Sequence, residues 1–519
     1  DNYIDDYGVH EDFKYLWDGV SVQALASQWF GNLLMPETWD HIWLNKAFAQ
    51  YFAGLYTAHD NSLDEYLTYY LPFEQGNVFA DWESGNIHPI VTDKYSDLSG
   101  FSSDSYATYR GALILHLLQF EMGEKKWWKS IQYYVKINAF KQVKTADFQN
   151  ALEQVSGESY QWFFDQWIYK TGHPRFKVVQ VFDSVNDELK ISVSQIQNHE
   201  KEIEYEQPEF FSGKMEVEID SVIVPIVIQP KFENKYTFSM HAPPGFINFN
   251  YRSRWICEID YAQTTDSYLN QLAGSTDPLA KQSAVDELVL IYQDSTSTDE
   301  LKEKIMLAFR AEITSELYWR YRLYVLGSLR KIDTPPYEKV TTDLLIDLIQ
   351  TESSWLKASA ITALGNSNDS SYVPIYLSAL SDISDRVINA AAIALGKTKS
   401  DKVYSVLLNL EKHPSWKNQN RISALNGLSQ LGDPRGADYA LECLKDNHSP
   451  RWYLATPIWD YPFAAINTLI ALNQTATAYE IVLERIKIAL QFSDLNDLFQ
   501  QIYLLNLLND PRSQEDKRL

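Results

Sequence analysis

The chain has 519 residues, beyond the size at which one hydrophobic core stops growing, so several domains are expected. Its formal charge of −24 would repel nucleic-acid phosphates, and in the absence of a basic patch this excludes a nucleic-acid-binding protein. No stretch of about 18 apolar residues occurs in the sequence, which argues against a membrane-spanning helix.

Residues 1–172 have the pattern of a helical domain. Residues 107–139 carry apolar side chains at helical spacing, among them Leu113, Leu117 and Phe120, and a long helical segment is predicted there. The acidic start, residues 1–6, lacks the spacing of a calcium-binding loop and is predicted to be a solvated segment.

The residue pattern changes at Pro174, where short β-branched and aromatic runs replace the helical period. The runs are separated by Asn, Asp, Gly and Pro, as in an antiparallel sheet or sandwich. They read RFKVVQVF, ELKISVSQI, KMEVEI, SVIVPIVI and KYTFSM. We therefore predict a small antiparallel β-sandwich over residues 173–262.

Helical periodicity returns over residues 263–519, and part of this segment repeats. Amphipathic stretches are predicted to close at the pairs Leu326-Gly327, Leu364-Gly365, Leu395-Gly396 and Leu431-Gly432. Segments such as INAAAIALGK resemble the second helices of HEAT-type repeats, which stack because one helix pair cannot bury its own apolar face. This predicts a C-terminal α-superhelix, with an irregular helical bundle as the alternative.

One stretch, residues 20–52, reads VSVQALASQWFGNLLMPETWDHIWLNKAFAQYF. It resembles the zinc aminopeptidase family that includes aminopeptidase N and the leukotriene hydrolases, the gluzincin aminopeptidases, whose segment reads H-E-L-A-H-Q-W-F-G-N and then W-L-N-E-G-F-A. The matching residues are Leu25, Ala26, Gln28, Trp29, Phe30, Gly31 and Asn32, followed by Trp43, Leu44, Asn45, Phe48 and Ala49. The family's 18-residue gap between its last His and its ligand Glu is preserved between Ser27 and Lys46.

The residues that carry the family's chemistry are replaced. In the family, two His one helical turn apart and a Glu from the next helix bind zinc, and the Glu after the first His is the general base. Those ligand positions hold Gln23, Ser27 and Lys46 here, and the base position holds Ala24. An amide and a hydroxyl are poor zinc ligands beside imidazole, and an ammonium adds a positive charge. We therefore predict that zinc, the cofactor that the resemblance implies, is absent and that no cofactor replaces it.

The resemblance also implies an oxyanion-stabilising Tyr in a Y-x-K-G-A motif. Aligning Arg110 with the Lys of that motif places Thr108 at the Tyr position. Tyr106 and Tyr109 flank it, and a local shift would make either one the equivalent residue.

The resemblance extends to the order of domains. It implies a multidomain α+β protein with a helical thermolysin-like catalytic-type domain over residues 1–172, the β-sandwich over 173–262 and a HEAT-like superhelix over 263–519. The family also has a G-x-M-E-N strand before its zinc helix, which holds the substrate's free amine. The residues before Gln23 show no such motif, so a truncated N-terminus without that anchor is expected.

Two interpretations of Lys46 stay open. Its ammonium could occupy the vacant zinc position and hydrogen-bond to Gln23 and Ser27, or it could turn toward solvent, since a buried ammonium is costly unless it is well paired. A Ser-Lys nucleophile made of Ser27 and Lys46 is a weaker hypothesis, because a serine on a helix has no evident oxyanion hole.

The sequence thus favours a catalytically inactive homologue of a zinc aminopeptidase, a pseudoenzyme that binds peptides or a protein partner through its cleft and its helical repeats. The alternative is an active hydrolase with a non-zinc or altered mechanism. The HEAT-like tail resembles those of exported bacterial members, which gives a preference for a periplasmic or extracellular location.

Overall fold

The computed structural model describes residues 18–93, 104–197, 203–413, 415, 418–445, 461–491, 495–510 and 512. The acidic segment of residues 1–6 lies outside these ranges. The chain divides into two compact units, Tyr15–Ser328 and a second that contains Leu329–Leu519. Among the described residues, no helix is long and apolar enough to cross a membrane.

The first part of the Tyr15–Ser328 unit is helical, as predicted. Its helices are α1 (18–26), α2 (Trp43–Tyr56), α3 (Leu71–Ser84), α4 (Gly111–Met122), α5 (Glu124–Asn138), α6 (Thr145–Ser156) and α7 (Gln161–Trp167). Two short strands, β1 (Leu34–Pro36) and β2 (Lys141–Val143), pair in parallel. Among the described residues of this part, three turns are π-helical, namely Thr57–Asn61, Tyr66–Tyr70 and Tyr106–Arg110.

The long helix predicted over residues 107–139 is interrupted. Gly123 ends α4 with a φ of 80°, a value that residues with a Cβ rarely adopt, and α5 starts immediately after it. The spacing of apolar residues continues past Gly123, so the sequence pattern did not predict this break. The residues at the start of the predicted segment form the π-helical turn Tyr106–Arg110.

Helix α2 forms the centre of the helical core. Its residues Trp43, Ala47 and Phe48 are fully buried. A Cβ on Gly111 would lie 2.5 Å from the Cβ of Ala47, so the absence of a side chain at Gly111 lets α4 pack directly on α2. The Phe48 ring stacks on Phe30 with centroids 4.2 Å apart, which packs the turn after α1 against α2.

The predicted sandwich region contains two sheets. Its strands are β3 (Arg175–Asp183), β4 (Glu188–Gln195), β5 (Gly213–Ile219), β6 (Val222–Ile228), β7 (Glu233–Ser239), β8 (Ile247–Phe249) and β9 (Glu258–Asp260). The sheet orders are β7-β4-β3-β9 and β6-β5-β8, and their pairs are antiparallel except β3 with β9. The five strand runs found in the sequence are confirmed, and β8 and β9 were too short to be found. Trp255 joins this core to α7, because its ring lies 5.5 Å from that of Trp167.

Four helices follow the sheets, namely α8 (Thr265–Gly274), α9 (Pro278–Gln293), α10 (Asp299–Thr314) and α11 (Trp319–Ile332). The boundary between the two compact units falls inside α11. The second unit continues with α12 (Lys339–Thr351), α13 (Ser354–Gly365), α14 (Val373–Ala379), α15 (Asp385–Lys397), α16 (Val403–Asn409), α17 (Gln419–Leu431), α18 (Gly436–Lys445), α19 (Tyr461–Ala471), α20 (Thr475–Gln491) and α21 (Leu495–Leu508).

In the second unit, alternate helices pack on one another. Helix α13 packs on α15, α15 on α17, and α17 on α19. This is the arrangement expected when helix pairs stack as repeats, because each pair covers the apolar face of its neighbour.

The predicted Leu-Gly closures differ in their structure. Gly432 follows α17 with a φ of 73° and is a left-handed cap, as predicted. Gly327 lies inside α11, which continues to Ile332, so the prediction of a helix end is wrong there. Gly365 and Gly396 are helical residues near the ends of α13 and α15, where added side chains would meet Ala394 and Gly427.

Candidate functional site

Helix α1 holds the first two degenerate ligand positions one turn apart. The helix ends at Ala26, but the N–H of Ser27 still donates to the carbonyl of Gln23 over 3.0 Å. Gln23 and Ser27 therefore lie on one helical face, both half-buried, while Ala24 is exposed. The spacing on which the family's metal site depends is kept, although the ligands are not.

The matching motif residues explain how the two segments are held together. Gly31 has a φ of 144°, and a Cβ there would lie 2.5 Å from Nδ2 of Asn45. That amide donates a hydrogen bond to the carbonyl of Phe30. The turn after α1 is thereby fixed against α2, one residue before Lys46, so the matching glycine and asparagine preserve packing.

A chain of hydrogen bonds leads inward from the first ligand position. The side-chain amide of Gln23 donates to Oε1 of Gln50, and Nε2 of Gln50 donates to Oε1 of Glu74 over 2.7 Å. Glu74 lies on α3 and is fully buried, and its Oε2 has no hydrogen-bond partner among the described residues. Burial raises the pKa of Glu74 to about 8, although the hydrogen bond from Gln50 opposes this rise. The chain therefore consists of neutral groups at neutral pH.

The tyrosines near Glu74 are also uncharged at neutral pH. Burial, and to a smaller extent the carboxyl group of Glu74, raise the pKa of Tyr70 to about 12, although a hydrogen bond with Thr57 opposes this rise. The pKa values of Tyr66 and Tyr109 are raised in the same way, first by burial and then by Glu74. Phenols therefore stay protonated around this buried carboxyl group.

Ser27 and Lys46 are both half-buried. The hydroxyl of Ser27 donates to the carbonyl of Gln23 over 2.9 Å, and the amide of Gln23 is directed to Gln50. These two hydrogen bonds use the donor groups of Gln23 and Ser27, whereas the predicted clamp requires Lys46 to donate to their oxygens, so the clamp stays a prediction. The same bond commits the Ser27 proton to its own helix, which argues against a Ser-Lys nucleophile.

The oxyanion position lies on the π-helical turn Tyr106–Arg110. Such a turn contains one residue more than an α-helical turn, which is the kind of local shift that the sequence left open. Thr108 is half-buried there, while Tyr106 is fully buried with its ring 4.7 Å from that of His88. Tyr109 is half-buried, and its pKa is raised first by burial and then by Glu74. Of the three candidates, Tyr109 is thus the one coupled to the polar chain.

The residues at the ligand positions do not fit zinc. An amide engaged with a second amide, a hydroxyl that donates to a backbone carbonyl, and an ammonium supply no anionic or imidazole donor. Across the described part of the chain, His, Cys, Asp and Glu side chains form no group of three or more that could hold a metal ion. No catalytic step through zinc follows from this arrangement, and the absence of zinc stays a prediction.

The sequence did not single out Gln50 and Glu74. Gln50 lies one helical turn after Lys46, inside the apolar run AFAQYFA, and a polar residue at a buried helical position was an available signal. Glu74 is 24 residues further on, and only the tertiary fold brings it to Gln50.

Comparisons with known proteins agree with this construction. Residues 17–167 match the peptidase family M1 domain, and residues 342–425 match HEAT repeats. In that second range the match favours repeats over an irregular helical bundle. Aminopeptidase M1-A of Oryza sativa subsp. japonica is 31% identical over 212 residues, which is 40% of this chain and 22% of that protein. Glutamyl aminopeptidase of Rattus norvegicus is 32% identical over 158 residues, which is 30% of this chain and 16% of that protein.

A third relative is the tricorn protease-interacting factor F2 of Thermoplasma volcanium, 30% identical over 30% of this chain and 20% of its own length. This chain thus spans less than a quarter of the length of these relatives. A solved structure, Legionella pneumophila aminopeptidase A in complex with aspartic acid, superposes with a TM-score of 0.60 at 12% identity, over 94% of this chain and 63% of that one. At that identity the likeness shows the fold alone. The chain therefore contains a peptidase family M1 domain, related to the domains of M1 aminopeptidases, with HEAT repeats in its C-terminal part.

Proposed function

We propose that this chain is a non-catalytic relative of the M1 aminopeptidases that binds peptides or peptide-like segments of a protein partner. The observation that carries the proposal is the hydrogen-bond chain that starts at Gln23, one of the family's zinc-ligand positions, and leads through Gln50 to Glu74, because it consists of neutral amides and a protonated carboxyl group. Neutral donors and acceptors of this kind suit the N–H and C=O groups of a peptide backbone.

The surface beside Gln23 supports contacts with side chains of a peptide. Val20, Leu25 and Trp29 lie on the same segment, and between 45 and 59% of each is exposed. Exposed apolar side chains are among the features of interaction sites. The HEAT repeats support a protein partner in the same way, because stacked repeats present extended concave surfaces.

The alternative, a hydrolase with an altered mechanism, lacks support at the site. Ala24 cannot accept a proton, and the Ser27 hydroxyl donates to the carbonyl of Gln23 rather than to a base. Glu74 is the buried carboxyl group at the end of the hydrogen-bond chain, and its raised pKa leaves it largely protonated at neutral pH.

The test measures binding and turnover on the same protein. Binding of a fluorescein-labelled short-peptide library would be followed by anisotropy, and turnover by fluorogenic aminoacyl amides with and without a chelator. We expect saturable binding that weakens about tenfold in Gln50→Leu, because that variant removes the amide between Gln23 and Glu74. Gln28→Leu, an exposed amide on the neighbouring turn, is the matched control. Chelator-sensitive turnover, or equal binding by both variants, would overturn the proposal.

A further inference from the structure

A cavity of about 530 Å³ lies in the Tyr15–Ser328 unit, apart from the degenerate metal position. None of Gln23, Ser27 and Lys46 lines it. Its volume is within the range of roughly 300–1,000 Å³ that is usual for pockets binding small organic molecules.

Leucine side chains form much of its wall. Leu63, Leu67, Leu71 and Leu113 line the cavity, and Leu67, Leu71 and Leu113 belong to the buried core of the unit. His116 contributes no charge, because burial, assisted by the charge of Arg254, lowers its pKa to about 3. This wall suits an aliphatic chain.

The other wall carries two guanidinium groups from the loop before β9. The Arg252 guanidinium makes no hydrogen bond or ion pair within the described residues, and its Nε is buried without a partner. It contacts the ring of its neighbour Tyr251, 5.0 Å from the centroid. Arg254 lies over the ring of Phe120 and donates through Nε to Glu216, while its two terminal nitrogens have no partner among the described residues.

The loop holds both arginines in place despite a strained backbone. Arg252 and Ser253 have φ values of 58° and 46°, which are unusual for residues with side chains. The conformation is fixed from outside, because Asp277 accepts the N–H of Arg252 over 2.6 Å and Gln75 donates to the carbonyl of Ser253 over 2.8 Å. Strain that the surroundings maintain in this way is concentrated at functional sites.

A third donor lies on α4. The side-chain Oε1 of Gln119 accepts a hydrogen bond from the hydroxyl of Tyr51 over 2.7 Å, which leaves Nε2 of Gln119 as the group that can donate into the cavity. Glu124 is the carboxylate of the lining, and it is exposed. The lining therefore combines leucines with the donors of Arg252, Arg254 and Gln119, and of the two guanidinium groups only that of Arg254 has a carboxylate partner among the described residues.

We propose that this cavity binds a small aliphatic carboxylate, whose oxygens accept hydrogen bonds from Arg252 and Arg254 and whose chain lies against the leucines. Guanidinium groups are matched to carboxylates because both are planar and can form two parallel hydrogen bonds. The site is independent of the peptide cleft proposed above.

Isothermal titration calorimetry on the full chain tests this proposal with three probes: octanoate, acetate and 1-octanol. We expect octanoate to bind at a single site, acetate not to bind measurably and 1-octanol to bind at least about tenfold more weakly than octanoate. Equal affinities for octanoate and 1-octanol would overturn the role of the arginines, and the absence of octanoate binding would overturn the site.

Variants separate the site from nonspecific adsorption. Arg252→Met removes a guanidinium that holds no other group, so the fold is expected to persist while octanoate affinity falls about tenfold or more. Arg175→Met is the matched control, since Arg175 is a half-exposed arginine of the same unit outside the cavity. Gln50→Leu should leave octanoate binding unchanged, which distinguishes this site from the peptide cleft. Equal octanoate binding by Arg252→Met and Arg175→Met would contradict the proposal.

Discussion

The amide of Gln50 on α2 donates a 2.7 Å hydrogen bond to the fully buried carboxyl group of Glu74 on α3. A charged carboxylate at this depth would need several donors, whereas the described part of the chain supplies Glu74 with one and leaves its second oxygen without a partner. Its protonation state is therefore linked to folding.

The pH dependence of stability should reveal Glu74. Its pKa is about 8 in the folded chain, and about 4.3 is usual for an unfolded one, so between these values the folded state binds more protons. The free energy of unfolding should thus fall by about 1.4 kcal/mol per pH unit from pH ~4.5 to pH ~8 on account of this group. Glu74→Gln should remove that slope in urea denaturation measured across this range.

An exposed carboxyl group on the same helix, that of Glu83, provides the control. Glu83→Gln is expected to keep the slope of the parent chain. If Glu74→Gln and Glu83→Gln show the same pH profile, Glu74 does not bind the extra proton.

Zinc binding should be recoverable. Gln23→His, Ala24→Glu, Ser27→His and Lys46→Glu together restore the ligands and the base, and positions 23 and 27 are still one turn apart. We expect stoichiometric zinc after dialysis, measured by mass spectrometry of the metal, and none when Ser27 is left unchanged. A folded quadruple variant without zinc would mean that groups around the ligands, such as Gln50, also prevent binding.

The buried ion pair between Arg320, at the start of α11, and Glu65 should contribute strongly to the free energy of unfolding. Arg320 donates to both carboxylate oxygens of Glu65 over 2.6 and 3.0 Å, and Tyr318 donates to the same fully buried group. Arg320→Met should destabilise the Tyr15–Ser328 unit by about 3–5 kcal/mol, because it leaves a buried charge without its partner. Tryptophan fluorescence in urea would measure the change.

The double variant Glu65→Gln with Arg320→Met tests the cause. Removing both charges should recover most of the lost stability, since the penalty arises from the uncompensated carboxylate. Equal destabilisation by the single and the double variant would assign the effect to packing instead.

The repeat stack should not tolerate a methyl group at Gly396. A Cβ there would lie 2.2 Å from the carbonyl oxygen of Gly427, so α15 and α17 would have to separate, at a cost of about 1–3 kcal/mol. Gly327→Ala is the control, because a Cβ at Gly327 meets nothing within 4 Å, and it should instead stabilise α11 by about 0.5–1 kcal/mol. Thermal unfolding of both variants measures the contrast.

The sequence was most informative where one period is sustained over a segment. The runs from Arg175 to Ser239 alternate as half-buried strands do, and they form β3 to β7. Where a single residue decides the backbone, the period was misleading, as at Gly123 between α4 and α5. Leu-Gly pairs show the same limit, since Gly327 continues a helix, Gly396 allows close packing and Gly432 is a cap.

Only the degenerate ligand positions of the candidate site could be predicted from the sequence. The motif located Gln23, Ser27 and Lys46, because their spacing is local and fixed by helix geometry. Glu74 could not be found in this way, since its contact with Gln50 depends on how α3 packs on α2. The choice between Thr108 and Tyr109 depends on a π-helical turn, which no residue pattern in that segment reveals.

The contact between Gly31 and Asn45 has a consequence for how such chains are recognised. Both residues belong to the family motif, and their contact holds the turn after α1 against α2. Residues of this kind are needed for as long as the chain has to fold, whether or not the chain catalyses a reaction. Overall sequence similarity then reports the shared fold. A change of function is found at the few positions between the matching residues.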